Sequence, residues 1–205
     1  RLAFTGEQWV SFLEGHGERG ANNAQDTGEI GRFAQSLRDK GLKVQSLSLV
    51  KTPKIPDNTS VLVIASPAKA PLDGEIKLIK DWVDAGGNLL WLHDPESPAS
   101  IDALASVLGA EWQKGYVIDP VAQQFGLPGG FYVPGEYPQN PVTQGFEQVT
   151  IFPLAGALTT RADSGWTAQP LLEQPMHHCP PRHRFSCCTR PAAQPRPRWS
   201  RREQT

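Results

Sequence analysis

The sequence predicts an α/β domain, a three-layer sandwich with a mostly parallel central sheet. Three observations predict it. Short apolar runs alternate with other segments through the first 118 residues. Those intervening segments place apolar residues at i, i+3, i+4 and i+7, one face of a helix. Val61–Ala65 sets Leu62, Val63 and Ile64 in succession, as a strand covered on both sides requires. Strands alternating with helices imply right-handed crossovers and a parallel sheet with helices on both faces.

The elements follow in order. Trp9–Leu13 is the first strand. Ile30, Phe33, Ala34 and Leu37 form one helical face, and Gly41 stops that helix. Val44–Leu49 alternates apolar residues with Gln45, Ser46 and Ser48, so one of its faces is wetter, as at a sheet edge. The link from Leu49 to Val61 is too short for a helical crossover. These two strands are therefore expected apart in the sheet, on either side of the first. Ile76, Ile79 and Val83 mark the second helix, with Asp73 as its N-cap, Glu75 at the positive end of its dipole and Gly86-Gly87 as its stop. Leu89–Leu92 is the fourth strand. Ile101, Leu104, Ala105 and Leu108 make a third helix between Ser100, a cap, and Gly109. Tyr116–Ile118 is expected as the fifth strand.

From Asp119 to about Pro153 the texture changes. Pro120, Pro128, Pro134, Pro138 and Pro141, with Gly129, Gly130 and Gly135, interrupt any long element, and Phe125, Phe131, Tyr132 and Tyr137 stud the excursion. Long loops on a rigid sheet are where binding surfaces tend to sit. Val149–Phe152 and Ala157–Thr160 are expected to return as short closing strands.

Residues 1–172 read as one soluble domain and residues 173–205 as a tail rich in Pro, Arg, Cys and His that cannot form a core and is expected to be disordered. A change of reading frame after Leu172 would produce so abrupt a shift; sequencing the locus tests that. The N-terminus lacks the apolar core of a signal peptide, and the absence of an initiator Met suggests a piece of something longer. No run approaches the roughly 20 apolar residues of a membrane-spanning helix.

Charge divides at the same place. Residues 1–172 hold 13 Lys and Arg against 19 Asp and Glu, a net −6, while the tail is +5. A mildly acidic body argues against nucleic acid as a partner, since phosphate binding needs a basic stripe. Cys179, Cys187 and Cys188 all lie in the tail. The body thus has no thiol nucleophile and no disulfide framework. His177, His178 and His183 join those cysteines as soft donors, but zinc-finger pairs are missing and Pro180-Pro181 interrupt the run, so no metal site and no cofactor are assigned.

Three places could carry chemistry. Gly15-His16-Gly17-Glu18-Arg19-Gly20 follows the first strand and precedes the first helix, where open α/β sheets bind ligands. Its glycines let backbone N–H groups approach an anion, and His16 or Glu18 could transfer a proton. The spacing is not a dinucleotide fingerprint, and the plainer reading is a tight turn with a surface histidine. Ser66 ends the third strand, but Pro67 removes the N–H that would help build an oxyanion hole, which favours a simple turn over a nucleophile. His93-Asp94-Pro95 ends the fourth strand on the same rim. Neighbours on a strand point to opposite faces, so His93 and Asp94 make no dyad by themselves. Asp94 before Pro95 reads more simply as a turn residue.

Several stretches together resemble a known family. They are Gly15-His16-Gly17-Glu18, Ile55-Pro56-Asp57-Asn58-Thr59-Ser60 running into Val61–Ala65, Asp84-Ala85-Gly86-Gly87-Asn88 running into Leu89–Leu92, His93-Asp94-Pro95, and Tyr137-Pro138-Gln139-Asn140-Pro141-Val142-Thr143-Gln144-Gly145-Phe146. In this order they are similar to the soluble domain of the gliding-motility-type auxiliary component of uncharacterised ABC transport systems. The resemblance runs from about Gln8 to Leu172. It implies a flavodoxin-like or class I glutamine-amidotransferase-like fold and an extracytoplasmic (periplasmic) domain. It also implies tethering by membrane helices outside this chain, with ABC permease and ATPase subunits or other membrane components as partners. It transfers no catalytic residues. The chain departs from the family at its C-terminus, where further ordered domain and a membrane helix would be expected.

Three functional expectations follow. The first is a non-catalytic binding or scaffold domain, with Gly15, His16, Gly17, Glu18, Ser66, His93 and Asp94 as the rim residues available to a ligand. The second is an amidase- or hydrolase-like enzyme using His16, Glu18 and His93, which needs those side chains to converge in a pocket. The third is a phosphate or nucleotide sensor at the glycine loop, which predicts thermal stabilisation by nucleotides.

Overall fold

The computed structural model describes residues 7–26, 28–95, 102–135, 137–161, 166–172 and 189–190. The first elements are β1 (Trp9–Leu13), α1 (Gly31–Asp39), β2 (Lys43–Leu47), β3 (Thr59–Ala65), α2 (Asp73–Asp84) and β4 (Asn88–Leu92). They continue with α3 (Asp102–Val107), β5 (Ala110–Trp112), β6 (Tyr116–Val117), α4 (Pro120–Gln124) and β7 (Phe131–Tyr132). The last are β8 (Phe152–Pro153), β9 (Leu158–Thr160) and β10 (Thr189–Arg190). The chain divides into two compact units, residues 1–112 with 158–168, and residues 113–157 with 169–205.

In the first unit, β1 to β4 form a parallel sheet in the order β2-β1-β3-β4. The short link between β2 and β3 does separate them, one on each side of β1, and the half-polar β2 lies at an edge. Alternate residues of the central strands feed two cores. Leu13, Leu62 and Ile64 pack with Ile79 and Val83 of α2 and Leu104 of α3. Val10, Phe12 and Val63 pack with Ala34 of α1. Leu62, Val63 and Ile64 are at most 1% exposed, so β3 is covered on both faces as its aliphatic run requires.

Helix α1 ends with Lys40 as C-cap and Gly41 at φ +85°, and the Leu42 N–H returns to the Leu37 carbonyl, a glycine stop of the expected kind. The start of α2 differs from expectation. Leu72, not Asp73, is its N-cap, and the Glu75 carboxylate accepts the Leu72 backbone N–H at 2.8 Å. A carboxylate three residues into the helix reaches back to the cap and satisfies an otherwise orphaned donor. The expected cap Ser100 lies outside the described residues. Beyond α3, β5 and β9 pair antiparallel, so the return through 157–160 does close a strand pair.

The second unit corrects two expectations. Tyr116–Ile118 does not add a fifth strand to the parallel sheet; its first two residues form β6, which pairs antiparallel with β10. Pro120, read from sequence as a breaker, instead starts α4: Asp119 caps it by accepting the Val121 N–H at 2.8 Å, and proline suits the first helical turn. The other oxygen of the same carboxylate takes the Val133 N–H at 3.1 Å, just after β7, whose antiparallel partner is β8. The tail residues assigned to disorder or to soft-donor clustering, His177, His178, Cys179, His183, Cys187 and Cys188, lie outside the described residues. No described helix is long and apolar enough to cross a membrane.

Candidate functional site

The carboxyl-end rim of the first unit's sheet brings together most of the residues singled out from sequence. β1 runs out at Leu13, and the chain turns back through Gly15 and Gly17, both at positive φ. At Gly17, with φ +76°, a Cβ would stand 2.9 Å from the Ala68 Cβ, so only glycine fits the approach of this loop to the segment after β3. Two bonds fasten the approach: the His16 carbonyl accepts from the backbone N–H of Ala68 at 2.8 Å and of Lys69 at 2.9 Å. The Arg19 N–H then donates to the Ala65 carbonyl at 2.9 Å.

This geometry places His16 inside the protein. It is 6% exposed, not the surface histidine that the turn-like sequence suggests. The expectation fails because the loop folds over the end of the sheet instead of projecting from it. The imidazole lies between two carboxylates. Nδ1 stands 3.3 Å from Glu18 Oε1, and Nε2 stands 2.9 Å from Glu75 Oε2. The Glu18 and Glu75 side chains are 2% and 5% exposed. Glu18 also accepts the His16 backbone N–H at 2.7 Å through its other oxygen. The Nδ1 contact is a hydrogen bond, and the Nε2 contact is a close polar approach to Glu75.

The remaining rim residues make contacts of their own. Ser66 adopts φ +46°, a left-handed conformation rare outside glycine, and its N–H donates to the Leu92 carbonyl at 2.8 Å. Asp94 is not merely a turn residue: it accepts from Arg19 Nη2 at 2.9 Å, while Arg19 Nη1 donates to the Gly28 carbonyl at 2.8 Å. His93 goes elsewhere. Its ring stacks on Trp112 with centroids 4.3 Å apart and meets Trp91 edge-on at 6.2 Å. His16 and Glu18 therefore converge and His93 does not join them.

Sequence reading missed Glu75 and Arg19. Glu75 was legible as a first-turn carboxylate of α2, and the crossover from β3 delivers that helix start to the same rim as the β1 exit. Nothing local to His16 announces a partner 59 positions away. Arg19 carried no signal beyond its place in the loop.

Two clefts lie away from the trio. One, of about 500 Å³, opens at the amino ends of the strands, between Thr59–Val61, Trp82 and Gly86–Asn88. The other, of about 480 Å³, belongs to the second unit and is walled by Tyr137, Phe146 and Gln144. Among the described residues, no group of three or more His, Cys, Asp or Glu could hold a metal ion.

Comparison with known proteins adds two matches. The family described as an ABC-type uncharacterized transport system, of auxiliary type, matches residues 7–174. Among solved structures, the mmIFT52 N-terminal domain superposes with a TM-score of 0.59 at 17% identity, over 75% of this chain and 69% of that one. At that identity the likeness concerns the fold alone. No curated protein matches the sequence.

Proposed function

The chain belongs to the auxiliary family of uncharacterized ABC-type transport systems, and we propose that it serves such a system as a non-catalytic binding or scaffold domain. In this reading it is of the gliding-motility type, lies on the extracytoplasmic face and docks on the permease, the ATPase or another membrane component of the transporter. Its parallel sheet is read as flavodoxin-like or glutamine-amidotransferase-like. Residues 1–172 are the working part.

One observation carries the non-catalytic reading: both ring nitrogens of His16 are engaged by buried carboxylates. General acid–base catalysis needs a nitrogen within hydrogen-bond reach of a substrate proton. His16 offers none, and His93 is stacked on Trp112. The trio acts as a clasp, tying the β1 exit loop to the start of α2. Fold likeness cannot supply the missing chemistry, because activities reside in sites and not in folds.

The test has two arms. Purified chain, assayed against amide and ester substrates, is expected to turn over none of them; turnover abolished by His16→Ala would overturn the reading. Co-expressed with the permease and ATPase of its own transport system, the chain is expected to co-purify with them. Failure to associate at low and at high salt would remove the scaffold role.

A further inference from the structure

The aromatic excursion after β6 holds a cleft that the scaffold reading leaves unused. Its volume of about 480 Å³ falls within the ~300–1,000 Å³ of small-ligand sites, and its lining runs from Pro134 to Val149, wholly within the second unit. Local bonds brace this wall. Thr143 Oγ1 donates to the Pro138 carbonyl at 2.6 Å, the Gln144 N–H to the Asn140 carbonyl at 2.8 Å and the Phe146 N–H to the Thr143 carbonyl at 3.0 Å. Tyr137 is fixed in turn by a hydrogen bond between its hydroxyl and that of Thr150. A wall held in this way is ordered before a ligand arrives, which lowers the entropic cost of binding.

The chemistry of the lining selects its ligand. Phe146 remains 43% exposed although it packs edge-to-face with Tyr137 at 5.2 Å between centroids, so it offers ring surface to an apolar face. Gln139, Gln144 and Gln148 are exposed along the same lining. Each of their carboxamides both donates and accepts. Among the described lining residues the one charge is the Glu147 carboxylate, and no Lys, Arg or His is present to hold a phosphate or a carboxylate. We propose that this cleft binds a neutral saccharide, with the C–H face of a pyranose on Phe146 and its hydroxyls on the glutamine carboxamides. Sugar hydroxyls give and take hydrogen bonds as the carboxamides do. A proline-rich peptide would also suit the rings, but its prolines offer acceptors alone and leave the carboxamide oxygens unused. The proposal goes beyond the docking role, because the chain binds the sugar without a transporter.

Saturation-transfer NMR on the full chain tests this with maltotriose, cellotriose and chitotriose. Each is titrated from about 0.1 to about 10 mM, a span around the millimolar dissociation constant of a shallow site. At least one is expected to receive saturation at its ring C–H protons. Phe146→Ala is expected to weaken binding about tenfold or more, whereas Phe146→Tyr keeps the ring and retains most of it. Gln144→Ala leaves the ring pair in place and is expected to weaken binding severalfold, a loss that unfolding of the wall does not explain. No transfer to any of the sugars, transfer equally strong in Phe146→Ala, or binding of an oligoproline peptide in their place overturns the proposal.

Discussion

At His16 a ring that sequence reading places on the surface is enclosed by two carboxylates, and the consequences are energetic. Removing one member of a buried ionic group leaves its partners uncompensated, at a cost of about 3–5 kcal/mol. His16→Ala, which leaves both Glu18 and Glu75 facing an empty site, is expected to lower the urea-unfolding free energy by that order. A double-mutant cycle between His16 and Glu75 should show strong coupling; additive single effects would mean that the 2.9 Å contact carries no energy. Gly17→Ala meets both a positive φ and the Ala68 methyl, and is expected to cost more than about 1 kcal/mol, read by the same unfolding curve. Tyr132 supplies a pH handle. Burial, then the Asp119 carboxylate, then Tyr137 push its phenol above the ordinary value of 10. Its stabilising contribution is therefore complete below about pH 10, the unfolded value, and is lost as pH rises through the higher folded value. Tyr132→Phe should delete a phenolate component that rises above pH 10 in an absorbance titration; an unchanged curve would contradict the shift. At this scale the glycines, His16 and Glu18 were visible in sequence because they are contiguous. Glu75 was not, because a contact across 59 positions is written in topology and not in local spacing.

Strands and helices were more legible than side-chain contacts wherever burial dictated the pattern. Trp9–Leu13 was read at its observed bounds, and the order of β2 and β3 about β1 followed from loop length alone. The failures fall where an element is too short for periodicity. Tyr116-Val117-Ile118 has the residue types of a strand, but the choice of partner rests on tertiary contacts that no local pattern encodes. Pro120 misled because its effect depends on position: inside a helix it breaks, after a capping aspartate it begins. The buried run of β3 sets a clear expectation. Leu62→Ala should cost about 2–5 kcal/mol by denaturant unfolding, since it opens a void between sheet and α2. Val50, 61% exposed in the turn after β2, should tolerate alanine within about 0.5 kcal/mol. Similar losses at the two sites would refute the core assignment.

For the molecule as a whole, composition excluded more than it identified. A net −6 over residues 1–172 weighs against a polyanionic partner, whereas family membership rests on the order of many weak motifs spread along the chain. The clasp at the sheet rim also has a kinetic meaning. The His16 amide hydrogen is held by Glu18 and the Leu72 amide hydrogen by Glu75, while one imidazole spans both acceptors. Deuterium should consequently enter these two distant amides in step, as one opening event frees them both, and in His16→Ala each should exchange on its own clock.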